Sequence, residues 1–219
     1  MKNYTFSPSS ELQQSSWMPI NRKRQQGASL IMVLIVLTVV SLLGVAGIQI
    51  SMMSERGARN DRDQQIAWQA AEAALLDAQF DLDDVTTASP RYNIGRFPLI
   101  PANETPDLTG FTGAACNSAG IYVGLCPKSL TPKAAWLNVD FTTTGVGAQS
   151  AAFGQFTGRL FPSGQTGPRS FQPPRYVVEL IDDKYTGSNS KYAYRITAMG
   201  FGPKQDIQAV VQSIYRPER

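Results

Sequence analysis

The chain has 219 residues, 42% of them apolar, and a formal net charge of +3, a size that allows one domain with an appended element. It contains no histidine, so a Ser-His-Asp triad, a Cys-His pair and a His-ligated zinc are excluded; no carboxylate or lysine spacing takes their place, and no enzyme, cofactor or metal site is expected. Nor does the charge point to nucleic acid: Lys2, Arg22, Lys23 and Arg24 against Glu11 account for all of it, and the residues from Ala28 onward sum to zero.

Residues 1–26 are polar and rich in Ser and Gln. They end in the basic run Asn21-Arg22-Lys23-Arg24, followed by Gln25-Gln26-Gly27-Ala28. From Ala28 to Ile48 the sequence ASLIMVLIVLTVVSLLGVAGI has no charged residue. About 20 such residues suffice to span a bilayer as a helix. The basic residues precede it, which places the N-terminus in the cytoplasm and the rest of the chain outside.

Three readings of this segment compete. A cleaved secretory signal would have a shorter apolar core and a small-x-small site after it, and Ala46-Gly47-Ile48 matches poorly. A plain signal anchor fits the apolar run but implies nothing about the residues beyond the membrane. A prepilin has a basic leader, a glycine, and cleavage before the helix rather than after it. Gly27 is the residue that separates the third reading from the second.

Residues 49–84 contain no proline, and Gly57 is the one strong helix breaker. Ala67, Ala70, Ala71, Ala74, Leu75, Ala78 and Leu82 recur at helical spacing. The helix is therefore expected to continue unbroken over 28–84, with Ala28 to about Leu82 spanning roughly 80 Å at 1.5 Å per residue. Its second half presents a narrow alanine face. A coiled coil would want larger residues in sustained heptads; alanine points to a sheet packed closely against the helix. Ser41, Gly44, Ala46 and Gly47 put small residues in the first half, which favours close approach of other helices. Gly44 and Gly57 are also places where the helix could bend. Residues 54–63, SERGARNDRD, mix both charge signs, as either a solvated face or a set of intersubunit ion pairs.

Residues 85–219 form the globular part. Residues 86–174 are rich in loops and hold most of the fourteen prolines. Asn93–Pro106 and Gly145–Pro174 read as irregular, and Ile121–Leu125 and Trp136–Phe141 as short strands. Cys116 and Cys126 lie close together without CxxC spacing; one small disulfide loop in an oxidising compartment is the better reading, two free thiols the other. Residues 175–216 hold three β-rich runs, Tyr176–Ile181, Tyr192–Ala198 and Ile207–Tyr215. Short connections make them an antiparallel meander, and alternation gives a sheet with one covered face. The fold class is α+β: a long N-terminal helix laid on a C-terminal antiparallel sheet.

Residues 26–76, QGASLIMVLIVLTVVSLLGVAGIQISMMSERGARNDRDQQIAWQAAEAALL, are similar to PilX-type minor pilins of the type IV pilus, particularly at Gln69–Leu75, QAAEAAL. A second patch, Tyr194–Arg216, resembles the C-terminal strands of that family; residues 86–174 carry no resemblance. The resemblance implies a type IV pilin-like fold, with residues 1–27 as leader and 28–48 as the transmembrane part of the pilin helix. It implies cleavage after Gly27 by a separate prepilin peptidase and N-methylation of Ala28. It also implies residence in the inner membrane, then in the pilus, with major pilin and other minor pilins as partners.

One departure is informative. The fifth residue after the junction is glutamate in major pilins and is thought to neutralise a neighbour's terminal amine; here it is Met32. An unpaired charge in an apolar core is costly. A subunit lacking the carboxylate fits a priming or tip position, beside other minor pilins and a tip adhesin, better than a place in the shaft. Two other readings keep the membrane helix: a pseudopilin of a type II secretion system, and a surface adhesion module. The tip pseudopilin carries a large inserted α-domain, for which 86–174 is too short and too rich in Pro and Gly.

Overall fold

The computed structural model describes residues 28–83, 91, 108–128, 133–164, 166–182 and 192–216. The chain divides into two compact units, Met1–Met52 and Met53–Arg219.

One helix, α1, runs Ala28–Asp83 over 56 residues. It contains no proline, and it passes through Gly44, Gly47 and Gly57 without a break. Strong helix formers on either side outweigh the intrinsic cost of isolated glycines. In the first unit its two central hydroxyls turn back on the helix: Thr38 Oγ1 donates to Ile35 O and Ser41 Oγ to Leu37 O, each at 2.8 Å. Such back-bonding satisfies a hydroxyl where no water is at hand.

In the second unit five strands form one sheet: β1 Leu125–Cys126, β2 Ala151–Ala152, β3 Arg175–Asp182, β4 Tyr192–Phe201 and β5 Gln208–Tyr215. The path β1-β3-β4-β5 has β2 as a second neighbour of β3. β3, β4 and β5 are the expected meander, with Tyr176 opposite Ala198 and Ala198 opposite Val211.

The sheet as a whole is mixed rather than purely antiparallel. β1 pairs parallel to β3, Leu125 opposite Val178. The long connection between them permits a parallel arrangement that a hairpin would forbid. Two expected strands are corrected here. Residues 121–125 contribute strand only at Leu125, and Gly120–Tyr122 is a 3₁₀ turn. Trp136–Phe141 is not a strand: Ala135–Asn138 is a 3₁₀ turn. Gly120 and Gly124, with φ of 60° and 82°, interrupt the extended run. Gly145–Pro174 is mostly irregular, as expected, apart from β2 and a single bridge at Ser163 and Ser170. Asn93–Pro106 lies outside the described residues.

Both faces of β3 and β4 are covered. The inner face, Tyr176, Val178, Leu180, Tyr194, Ile196 and Ala198, packs with Ala74, Ala78 and Leu82 of α1. The outer face, with Val177 and Phe201, packs under Cys116, Cys126 and Phe141, with Trp136 and Val139 at the margin. The expectation of one covered face is thus corrected. Cys116 and residues 135–141 contribute a second layer on this side, and Thr197 and Glu179 are completely buried.

The helix and β4 approach each other very closely. A Cβ on Gly200 would stand 2.1 Å from Ala67 O and 2.2 Å from Ala71 N. Alanine on one side and glycine on the other are what that separation requires.

Candidate functional site: the apolar helix and its polar anchor

The described part of the first unit is almost wholly exposed. The large apolar side chains from Leu30 to Met53 are half exposed or more. α1 is long and apolar enough here to cross a membrane. Its first ionisable side chain is Glu55. Met32 is 70% exposed and brings no carboxylate to this face. Ala28 is the first helical residue, and Gly27 lies outside the described residues.

In the second unit the same helix carries a different chemistry. Ala70, Ala74, Asp77 and Asp81 share the buried face at helical spacing, and both aspartates are buried. Asp77 accepts from Gly154 N at 2.7 Å and from Thr157 Oγ1 at 2.5 Å, with Arg159 Nη1 at 3.7 Å. Asp81 accepts from Arg91 Nη1 at 2.7 Å and from Tyr176 Oη at 2.9 Å. Arg91 also donates from Nε to Ile121 O at 2.6 Å and from Nη2 to Val123 O. Its guanidinium lies 3.3 Å from the centroid of the Phe156 ring.

These two carboxylates, one turn apart, tie the 154–159 loop, Arg91 and β3 to the helix, and Arg91 in turn ties in residues 121–123. Burial raises the Asp81 carboxyl above its usual range, against the opposing pull of Arg91 and the Tyr176 hydroxyl. The same burial pushes the Tyr176 phenol well up and the Arg91 guanidinium down. The cluster is structural in kind: a buried ion pair fixes geometry, and losing one member leaves the other charge stranded.

Two further buried ions tie irregular segments to the sheet. Glu179 on β3 pairs with Arg195 Nη2 on β4 at 2.7 Å and accepts from Ala135 N at 3.1 Å. Arg175 donates to Ser150 Oγ at 2.8 Å and to Ser150 O. Cys116 and Cys126 are joined by a disulfide across ten residues, with Cys126 on β1. In the charged segment 54–63, Arg59 pairs with Glu55 at 2.6 Å one turn away, with both side chains exposed.

The sequence-derived site residues are thus spread over the molecule: Met32 on the apolar helix, Cys116 and Cys126 in the outer layer. The aspartates and Arg91 escaped sequence reading. Their one signal was phase, since Asp77 and Asp81 fall in step with the alanine stripe and so face inward.

No group of three or more metal-ligating side chains occurs among the described residues. A family model described as PilX N-terminal matches residues 26–76. A second, described as type IV pilus assembly protein PilX C-term, matches residues 122–217. The second reaches well back of Tyr194, into residues 122–174, where the sequence by itself offered no resemblance. No curated protein and no solved structure matches the chain. With the two models covering more than half of it, in the order helix then sheet, the chain belongs to the PilX family of type IV pilus assembly proteins.

Proposed function

We propose that the protein is a minor pilin that primes or caps a type IV pilus from its tip. In this reading residues 1–27 are a cytoplasmic leader removed by a prepilin peptidase after Gly27, and Ala28 becomes the N-methylated terminus. Residues 28–48 span the inner membrane once, with the globular part in the periplasm. On assembly the helix leaves the lipid for the filament core, and other minor pilins, the major pilin and a tip adhesin are the neighbours.

The observation that carries the tip position is Met32. It stands about one turn from the first helical residue, on an exposed apolar face without any ionisable side chain before Glu55. Nothing there can neutralise the terminal amine of an incoming neighbour. Burying that amine unpaired is costly, so the face disfavours repeated stacking and suits an end position. Met32→Glu tests this in piliated cells. The variant is expected along the shaft as well as at the tip, by immunogold labelling. Labelling and pilus number both unchanged from the wild type would remove the support for the missing-carboxylate argument.

A further inference from the structure

Two arginines are buried among the described residues, Arg91 and Arg175. Arg91 has Asp81 as its counter-ion. Arg175, only 6% exposed at the start of β3, has no carboxylate partner. Its partners are Ser150 Oγ, which accepts from Nε at 2.8 Å, and Ser150 O, which accepts from Nη2. Burial pushes both guanidinium groups down, but only at Arg91 does a carboxylate oppose the shift. The pairing of β2 with β3 sets up this arrangement. Ala152 lies opposite Arg175, so Ser150, two residues back, falls on the same outer face. Ser150 thus takes the Nε–Nη2 edge of the guanidinium and fixes its plane. Nη1 is left without a partner in the chain. Among the described residues the buried side-chain polar atoms that lack a partner are Asp81 Oδ1 and Gln172 Nε2, so Nη1 stands within reach of solvent.

We propose that Arg175 is a binding site for one small oxyanion of carboxylate size and geometry, which docks on the open Nη1 end of the guanidinium. A buried charge without a counter-ion is costly, and an anion from outside the chain removes that cost. The site cannot escape it by giving up the proton, because a guanidinium stays charged at any physiological pH. The planar fork matches a carboxylate, and the two bonds to Ser150 orient it before a ligand arrives, so little freedom is lost on binding. A polyanion is disfavoured, since it needs a row of cations. The next ion along this face of β3 is Glu179, an acid that Arg195 already pairs. Two sources share the chemistry: a free oxyanion in solution, and a carboxylate carried by a neighbouring subunit. The second source alone rests on the reading of the chain as a filament subunit.

The test uses the full-length chain in detergent, with acetate as the probe and fluoride exchanged for it at constant ionic strength. Unfolding is followed by tryptophan fluorescence, and amide exchange by mass spectrometry. Acetate is expected to raise the melting temperature saturably in the millimolar range, by about 3–6 °C at about ten times Kd. It is also expected to slow exchange in the peptides that hold Ser150 and Arg175. Arg175→Lys keeps the charge but loses the fork, and should raise the acetate midpoint several-fold. A melting temperature that follows ionic strength alone, slowing confined to other peptides, or an unchanged midpoint in Arg175→Lys overturns the site. The exchange map needs only the wild-type chain, so it decides the matter even if the variant does not fold. Sheared filaments separate the two sources. With a free anion, acetate slows the same two peptides in filaments as in detergent. With a neighbour's carboxylate, those peptides are already as slow as in the acetate-saturated chain, and acetate adds nothing. Fast exchange there that acetate does not slow overturns the site. A chain absent from filaments overturns the filament reading and leaves the detergent result to decide the site.

Discussion

From Leu30 to Met53, α1 displays Leu, Ile, Val and Met side chains that are half exposed or more; from Ala67 to Leu82 its inward apolar residues are mainly alanine and are buried. Both stretches are helical, and both lack proline. The difference lies in who supplies the partner. Large side chains point outward where the partner must come from outside the chain, as lipid or as other helices. Small ones point inward where the chain brings its own sheet to within the reach of Gly200. Charge obeys the same division. The first stretch has none, while the second buries Asp77 and Asp81 against loops that would otherwise be loosely held.

The contrast can be broken most severely at Asp81. Asp81→Ala strands Arg91 in the core and is expected to cost about 3–5 kcal/mol. Urea unfolding of the detergent-solubilised chain, followed by tryptophan fluorescence, reads the loss, while helicity of residues 28–52 should be unaffected. Replacing both Asp81 and Arg91 with leucine and methionine should recover most of that loss, since no charge is left unpaired. The titration has a defined sign. The folded Asp81 carboxyl sits above its ordinary value of 3.8, so its contribution is fully present at lower pH and declines as pH rises through the folded value. Asp81→Asn should remove that portion of the pH dependence.

A smaller effect is expected from Cys116→Ser with Cys126→Ser. Loss of a loop of about ten residues costs about 3 kcal/mol in the chain-entropy account. It should loosen the outer layer over Val177 and Phe201, read as faster amide exchange in β1 and the Ala135–Asn138 turn, before it reaches α1. The smallest effect belongs to Glu55→Gln. Its pair with Arg59 is exposed on both sides, and such pairs contribute roughly 0.5 kcal/mol or less. If Glu55→Gln instead sharply reduced pilus number with stability unchanged, segment 54–63 would be an intersubunit surface rather than a solvated face.

The parts of the fold legible in the sequence are those with a local period. The helix expected over 28–84 is found at Ala28–Asp83, and the run Tyr192–Ala198 is found within β4. The alanine stripe also named its own partner, because only a close sheet needs side chains so small. The parts that were not legible depend on contacts far apart in sequence. β1 is two residues long and is a strand only through its pairing with β3, fifty residues further on. The second layer over β3 and β4 is irregular, and no periodicity announces it. Arg91 sits in a stretch without pattern, yet it links α1, the 121–123 loop and Phe156. Met32 was visible at once, but its meaning came from the family and not from any contact in the molecule.

The central claim is that this chain is a prepilin whose helix enters the filament. It is tested most directly by the intact mass and N-terminal sequence of the protein recovered from sheared filaments. The account predicts a chain that begins at methylated Ala28 and lacks residues 1–27. A chain found in washed membranes with Met1 intact, and in filaments not at all, would contradict it.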